Sequence, residues 1–286
     1  MPSLSTLLPF TSSLTLPPPQ AVQALKVTIP LLAISERLSF YPGHAILKLL
    51  SSAAFLAGPL YLTPSPSTGW DPYRTRIAAG LIFSAIGDYF LIPTRSEYYD
   101  KYIGALLPAS GKSARDKAAE AAKPQPKKIS NSFKLGVVSF AAAHVAYILA
   151  FLAKNQRPTG FSWSAFGVTM VLQTALTKWL GVVYPDDKGR DGLSSNVLDV
   201  AMEEEMKPLV FGYSLIISGM MAVANATAGS GAAGKQRLIG AVMFVISDIF
   251  VAKDAFGKQR GNPGLVAPAV GYGLYFWAQM VLAGTV

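Results

Sequence analysis

Two aspartates interrupt long apolar stretches of this sequence. Residues 80–92 read GLIFSAIGDYFLI and residues 240–252 read GAVMFVISDIFVA, so that Asp88 and Asp248 occupy the same place in two similar segments. Two carboxyl groups that share a medium of low dielectric constant are expected to ionise separately, one staying protonated as an acid and the other serving as a base. The pair therefore predicts proton transfer.

The energetic cost of these aspartates favours a functional interpretation. A carboxylate near the middle of a membrane span costs roughly 2.5–3.5 kcal/mol on insertion scales. Two of them cost on the order of 5–7 kcal/mol, which is comparable with the net stability of a domain. Both segments lie on odd-numbered spans of the eight that are predicted below. They therefore cross the membrane in the same direction, and their aspartates are expected at similar depth. The alternative is that each aspartate only accepts hydrogen bonds from a neighbouring helix.

The elements that must position these side chains are helices in a membrane. The chain has 286 residues, of which 51% are hydrophobic and only 14% are charged, whereas soluble domains carry roughly 25% charged residues. Apolar stretches near the ~20 residues that cross a bilayer recur along the whole length. We predict an all-α, polytopic membrane protein, a bundle of about eight transmembrane helices. The predicted spans are about 22–37, 44–62, 74–93, 132–153, 163–183, 206–227, 235–254 and 264–284.

The rest of the chain divides simply. Residues 1–20 contain no charged side chain and end in a proline cluster, which predicts a flexible N-terminal lead-in. Residues 21–286 form the predicted transmembrane domain. Its long connections at about 94–131 and 184–206 are predicted loop insertions, the first basic and partly disordered, the second acidic.

The distribution of lysine and arginine predicts the orientation. Basic residues concentrate in the loops that follow odd-numbered spans, so these loops are expected in the cytosol and both termini on the opposite side. The net charge of +9 suits a cytosolic face held near anionic lipid. It gives no reason to predict a nucleic-acid partner.

Several polar side chains are predicted near the depth of the aspartates. Lys48 could pair with an aspartate, or its ammonium could extend to the membrane surface. The tyrosines could equally serve packing or an interfacial belt. The candidate supporting residues are Lys48, His144, Tyr147, Tyr213, Ser247, Tyr275 and Gln279.

The composition also limits the chemistry. The chain has no cysteine and only two histidines, His44 and His144. Thiolate chemistry and a zinc site with three histidines are therefore excluded within this chain. We predict neither a metal nor a cofactor.

Five segments together resemble a known family. They are AILKLL at 45–50, GLIFSAIGDYFLI at 80–92, FKLGVVSFAAAHVAYILAF at 133–151, GAVMFVISDIFVAKDAF at 240–256 and YFWAQMVLAG at 275–284. The sequence resembles the YhhN-like lysoplasmalogenase family of eight-helix membrane hydrolases. The connections at 94–131 and 184–206 look like insertions relative to the compact family pattern.

The resemblance implies an activity and a site. Members of the family hydrolyse the vinyl ether bond of lysoplasmalogens, releasing a fatty aldehyde and a glycerophospho-ethanolamine or -choline. By position, Asp88 and Asp248 would be the catalytic pair, with the supporting residues around them. The expected partners are a lysophospholipid substrate and the lipid bilayer, in the endoplasmic reticulum or another endomembrane.

Vinyl ether hydrolysis suits two carboxyl groups. Protonation of the β-carbon gives an oxocarbenium-like cation that water captures, which requires an acid, a nearby anion and a positioned water. The sequence does not decide which aspartate is the acid. Ser247 is a possible hydrogen-bond donor to Asp248, which favours Asp248 as the ionised member.

Three other hypotheses for the function are considered. A proton-coupled transporter or carrier could use the same aspartates to relay protons. A ceramidase-like lipid hydrolase would need a histidine-rich zinc centre, which two histidines cannot supply. A membrane scaffold without activity would tolerate asparagine at both positions. The true lipid substrate, its head group and the oligomeric state are not encoded in any motif.

Overall fold

The computed structural model describes residues 14–61, 71–103, 129–154, 160–185, 196–229, 231–258 and 264–286. These residues form α-helices and no named β-strand. The helices are α1 (Pro19–Arg37), α2 (Tyr41–Tyr61), α3 (Pro72–Phe90), α4 (Arg95–Ile103), α5 (Asn131–Lys154), α6 (Trp163–Leu180), α7 (Lys207–Ala226), α8 (Ala232–Phe256) and α9 (Val266–Ala283).

The eight long helices, all except α4, coincide with the eight predicted spans, and their ends agree to within three residues. The all-helical prediction is confirmed. Three helices in the described part of the chain are long and apolar enough to cross a membrane, namely Asn131–Ala153, Glu204–Ala226 and Val266–Ala283. Charged and uncharged polar side chains interrupt the others: α8 carries two lysines, an arginine and two aspartates, and α6 carries a lysine, a glutamine and three threonines.

A short helix, α4, occupies the start of the segment predicted as a connecting loop. The Thr94 backbone N–H and hydroxyl both donate to the carboxylate of Glu97, at 2.8 and 2.9 Å, which caps the first turn of the helix. Tyr98, only 2% exposed, packs its ring against Tyr41 with the centroids 5.4 Å apart. Predictions for residues 1–13, 104–128 and 186–195 lie outside the described residues.

The long helices pack in a closed ring. Going round it, neighbouring helices are α1, α2, α3, α5, α7, α8 and α9, and α9 closes the ring on α1. Helix α9 also contacts α2 and α3, while α6 packs against α7. The order of the ring brings α2, α3 and α9 together on one side of the interior and α5, α7 and α8 on the other.

Part of the second long connection is ordered against one end of α8. The Ala201 N–H donates to the carbonyl of Phe256 at 2.8 Å, and the Lys258 N–H donates to the carbonyl of Asp199 at 2.9 Å. The side chains of Lys258 and Asp199 also pair, with Nζ and Oδ1 3.1 Å apart. Residues 199–201, called the strap below, thus fix the end of α8 that follows Asp248.

Glycine allows two of these helix pairs to approach closely. A Cβ added at Gly80 of α3 would overlap with the ring of Tyr147 on α5, and one at Gly240 of α8 would lie 2.8 Å from the side chain of Leu282 on α9. The two glycines are equivalent positions of the similar segments. Both pairs of helices therefore depend on the absence of a side chain there.

We predict that Gly80→Ala destabilises the bundle by about 1–3 kcal/mol, because the buried Tyr147 ring must shift to admit the new methyl group. Gly167→Ala is the matched control, since no atom lies within 4 Å of a Cβ added there. In α6 that change should stabilise by about 0.5–1 kcal/mol through helix propensity. Unfolding titrations in a denaturing detergent measure both; equal effects would contradict the packing described here.

Candidate active site

Asp88 is held at the meeting point of three helices. Its Oδ2 accepts hydrogen bonds from the hydroxyls of Ser52 on α2 and Tyr275 on α9, each at 2.7 Å. The ammonium of Lys48, one turn before Ser52, lies 3.7 Å from Oδ1. All four side chains are more than nine-tenths buried.

The neighbours of Asp88 offset the cost of burying a carboxylate. Burial disfavours its negative form, while two hydroxyl donors and the ammonium of Lys48 favour it. Of the two interpretations of Lys48, the structure shows pairing with an aspartate rather than extension to the surface.

Asp248 lies in a second polar cluster, formed by α5, α7 and α8. The Tyr213 hydroxyl donates to Asp248 Oδ2, and Nε2 of His144 lies 3.1 Å from the same hydroxyl oxygen. Since the tyrosine donates its hydrogen to the carboxyl group, the histidine nitrogen is assigned as the donor to the tyrosine oxygen. Among the described residues no lysine or arginine pairs with Asp248, which distinguishes it from Asp88.

The hydroxyl of Ser247 is engaged by the backbone of its own helix. The residue is 1% exposed, and its hydroxyl donates to the carbonyl of Phe244 at 2.6 Å. A hydroxyl has one hydrogen, so the donor that had favoured Asp248 as the ionised aspartate is used within its own helix.

A third polar contact joins α5 to α9. The Tyr147 hydroxyl donates to Oε1 of Gln279 at 2.7 Å. Tyr147 follows His144 by one turn of α5, and Gln279 follows Tyr275 by one turn of α9. Of the seven predicted supporting residues, six thus belong to these three clusters, whereas Ser247 donates to a carbonyl of its own helix.

Aromatic rings stand between the two aspartate clusters. The ring of Phe244 lies 5.4 Å from Tyr275 and 4.6 Å from His144, centroid to centroid. Phe140 lies 5.8 Å from Tyr275. Within the described residues no hydrogen bond or ion pair joins Asp88 to Asp248, so the structure places them in adjacent clusters rather than in contact.

Sequence reasoning missed two serines in this interior. Ser52 lies one turn from Lys48 on α2, and Ser84 lies one turn from Asp88 on α3, so the helical repeat placed each on the correct face. Serine is common inside membrane helices as a packing residue, which is why that signal was too weak to single them out.

Three polar atoms of this interior are fully enclosed and have no hydrogen-bond partner. They are Ser84 Oγ, Gln279 Nε2 and Nδ1 of His144. Leaving such atoms unpaired costs about 1–3 kcal/mol each. A polar substrate atom or water between the helices would satisfy them. In the described part of the chain no group of three metal-ligating side chains occurs.

The fold and the site together define a helical protein of membrane character with two interior aspartates in unlike environments, Asp88 buried and Asp248 partly buried. The YhhN family model matches residues 118–286, more than half of the chain, and the chain belongs to the YhhN family. The match spans α5 to α9 and includes Asp248, whereas Lys48 and Asp88 precede it. Searches of curated proteins and of solved structures find no match.

We predict that Lys48→Met destabilises the protein by about 3–5 kcal/mol, because it leaves a buried carboxylate without its cation. Adding Asp88→Asn should restore most of this loss, since the charge that needed neutralising is then gone. Unfolding titrations of the two single variants and the double variant form the cycle. Additive losses would show that Lys48 and Asp88 do not interact.

Proposed function

We propose that the protein hydrolyses the vinyl ether bond of lysoplasmalogens, giving a fatty aldehyde and a glycerophospho-ethanolamine or -choline. Membership of the YhhN family supports a hydrolase of this kind. The observation that carries the proposal is the unlike surroundings of two interior aspartates, one buried and paired with Lys48 at 3.7 Å and one partly buried and held by a tyrosine hydroxyl. Such a pair supplies the acid and the base that vinyl ether hydrolysis needs.

The environments favour one division of roles. Asp88, next to Lys48 and two hydroxyl donors, is the anion. Asp248, with no cation beside it among the described residues, is the neutral acid. This reverses the assignment that Ser247 had favoured.

With these roles the reaction consumes only the lipid and water, and every proton is accounted for. The Asp248 carboxyl transfers its proton to the β-carbon of the vinyl ether, and the ionised Asp88 stabilises the resulting oxocarbenium ion. Water attacks the cationic carbon and gives its proton to Asp88, which leaves a neutral hemiacetal. Asp248 next takes the hemiacetal hydroxyl proton while Asp88 protonates the glycerol oxygen. The carbon–oxygen bond breaks, aldehyde and alcohol form, and both carboxyl groups regain their starting states.

The rings between the two clusters suit a cationic intermediate. An oxocarbenium ion formed between Asp88 and Asp248 would lie against Phe140 and Phe244, whose faces attract positive charge. Both rings are buried, so entry of the substrate requires them to move.

Substrate placement follows from the same geometry. The alkenyl chain would lie among the apolar helices, with the vinyl ether at the level of Asp88. The head group would lie nearer the start of α2, beside Lys48, which precedes Ser52 by one turn. We place the protein in the endoplasmic reticulum or another endomembrane, with both termini away from the cytosol.

A proton-coupled carrier is the second candidate. The chain of contacts from Asp248 through Tyr213 to His144 is what a proton relay would also need. A carrier would move a solute without releasing aldehyde.

The test is aldehyde release from lysoplasmenyl-ethanolamine by membranes that contain the protein. We expect activity in wild type, including in the presence of a chelator, and a loss of roughly 10²–10⁴-fold in Asp88→Asn and in Asp248→Asn. Asp199→Asn is the control. The carboxylate of Asp199 lies on the strap and pairs with Lys258, so this substitution should leave the rate unchanged.

Two results would count against the proposal. No aldehyde from wild type that is inserted and folded would remove the substrate assignment and favour the carrier. Full activity in both interior variants would mean that these aspartates are structural.

A further inference from the structure

A buried pair of titratable side chains lies at the opposite end of the α2 polar face from Asp88. Oε2 of Glu36, near the end of α1, lies 2.8 Å from Nδ1 of His44 in the first turn of α2. Both residues are 5% exposed. The proposed mechanism uses neither of them.

His44 has hydrogen-bonding capacity left over. Its Nε2 is fully enclosed and has no hydrogen-bond partner. The ring is flanked by Tyr98 of α4 and Tyr272 of α9, at centroid distances of 5.3 and 6.2 Å. Since Nδ1 faces the carboxylate of Glu36, Nε2 is the ring nitrogen placed to donate a hydrogen bond to an anion.

Lys48 has spare donors on the same face of α2. Its ammonium carries three hydrogens, yet its nearest partner among the described residues is Asp88 at 3.7 Å. His44, Lys48 and Ser52 follow one another at intervals of one turn, with about 5–6 Å between successive Cβ atoms. The row thus begins with two groups that suit an anion and ends at a hydroxyl bound to Asp88.

We propose that His44, held by Glu36, binds the phosphate of a lysophospholipid head group together with Lys48. This inference rests on the proposed function for the identity of the lipid. The short glycerol backbone separates the phosphate from the ether oxygen by a length comparable with one helical turn. A phosphate between His44 and Lys48 therefore places the vinyl ether at the level of Ser52 and Asp88.

The site has a consequence for specificity. Glu36 acts as a positioning residue, since its carboxylate lies 2.8 Å from Nδ1 of His44 and fixes the ring. An alkenylglycerol without a phosphate would make none of these contacts. The head group then contributes to binding, whereas the reacting groups at Asp88 and Asp248 are unaffected by its absence.

Binding is tested on the purified full chain in detergent micelles, by the unfolding temperature with three probes. These are a 1-O-alkyl-lysophosphatidylethanolamine, which has no vinyl ether to cleave, a 1-O-alkylglycerol, and inorganic phosphate. We expect the phospholipid to raise the unfolding temperature of wild type more than the alkylglycerol does. In His44→Gln and Glu36→Gln the two lipids should act alike, while exposed Lys253→Gln should behave as wild type.

Activity gives the second readout. His44→Gln should raise KM for lysoplasmenyl-ethanolamine by roughly tenfold to a hundredfold, the loss of one charge-assisted hydrogen bond. It should leave KM for a 1-O-alkenylglycerol unchanged. Glu36→Gln, which retains the shape of the side chain, should give the same pattern more weakly, and it carries the test if His44→Gln does not fold.

The outcomes separate this inference from the proposed function. A phospholipid-specific shift without any aldehyde release would support the phosphate site and contradict the hydrolase. Equal stabilisation of wild type by the two lipids would overturn the phosphate site, whatever the activity. Stabilisation by inorganic phosphate alone, as strong as by the phospholipid, would overturn the assignment to a lipid head group.

Discussion

The pairing of Asp88 with Lys48 is the constraint on which the rest of the interior depends. A carboxylate in an apolar bundle is strongly unfavourable unless a cation and hydrogen-bond donors surround it. Those groups come from α2 and α9, through Lys48, Ser52 and Tyr275. Three helices must therefore converge at one point, and the contacts of α9 with both α2 and α3 follow from this.

The two similar segments show how neighbours give one residue type two roles. The glycine of each serves close packing, Gly80 against α5 and Gly240 against α9. Their aspartates differ because α2 presents a lysine to Asp88, while α7 presents a tyrosine to Asp248. A likeness in sequence thus becomes a difference in surroundings, and the proposed proton transfer rests on this difference.

Much of the fold could be predicted from the sequence, because apolar stretches of about 20 residues specify helices directly. The interior residues were predictable for a related reason, since a polar side chain in such a stretch is stable only facing other protein groups. The helix α4 was missed because its residues are polar, although Thr94 and Glu97 formed a recognisable cap.

The partners of the site residues could not be predicted in the same way. Ser52 is 36 positions from Asp88 and Tyr275 is 187 positions away, so only the order of helices in the ring joins them. The separation of the aspartates by Phe140 and Phe244 depends on that order too. The same holds for Glu36 and His44, whose pairing requires the end of α1 to meet the start of α2.

The central claim is that Asp88 is ionised and Asp248 is protonated in the resting protein. Infrared difference spectra of the purified protein near neutral pH measure this directly, because a protonated carboxyl group has a carbonyl stretching band that a carboxylate lacks. We predict that Asp248→Asn removes such a band from the wild-type spectrum and that Asp88→Asn does not. Loss of the band in Asp88→Asn, with its retention in Asp248→Asn, would contradict the account.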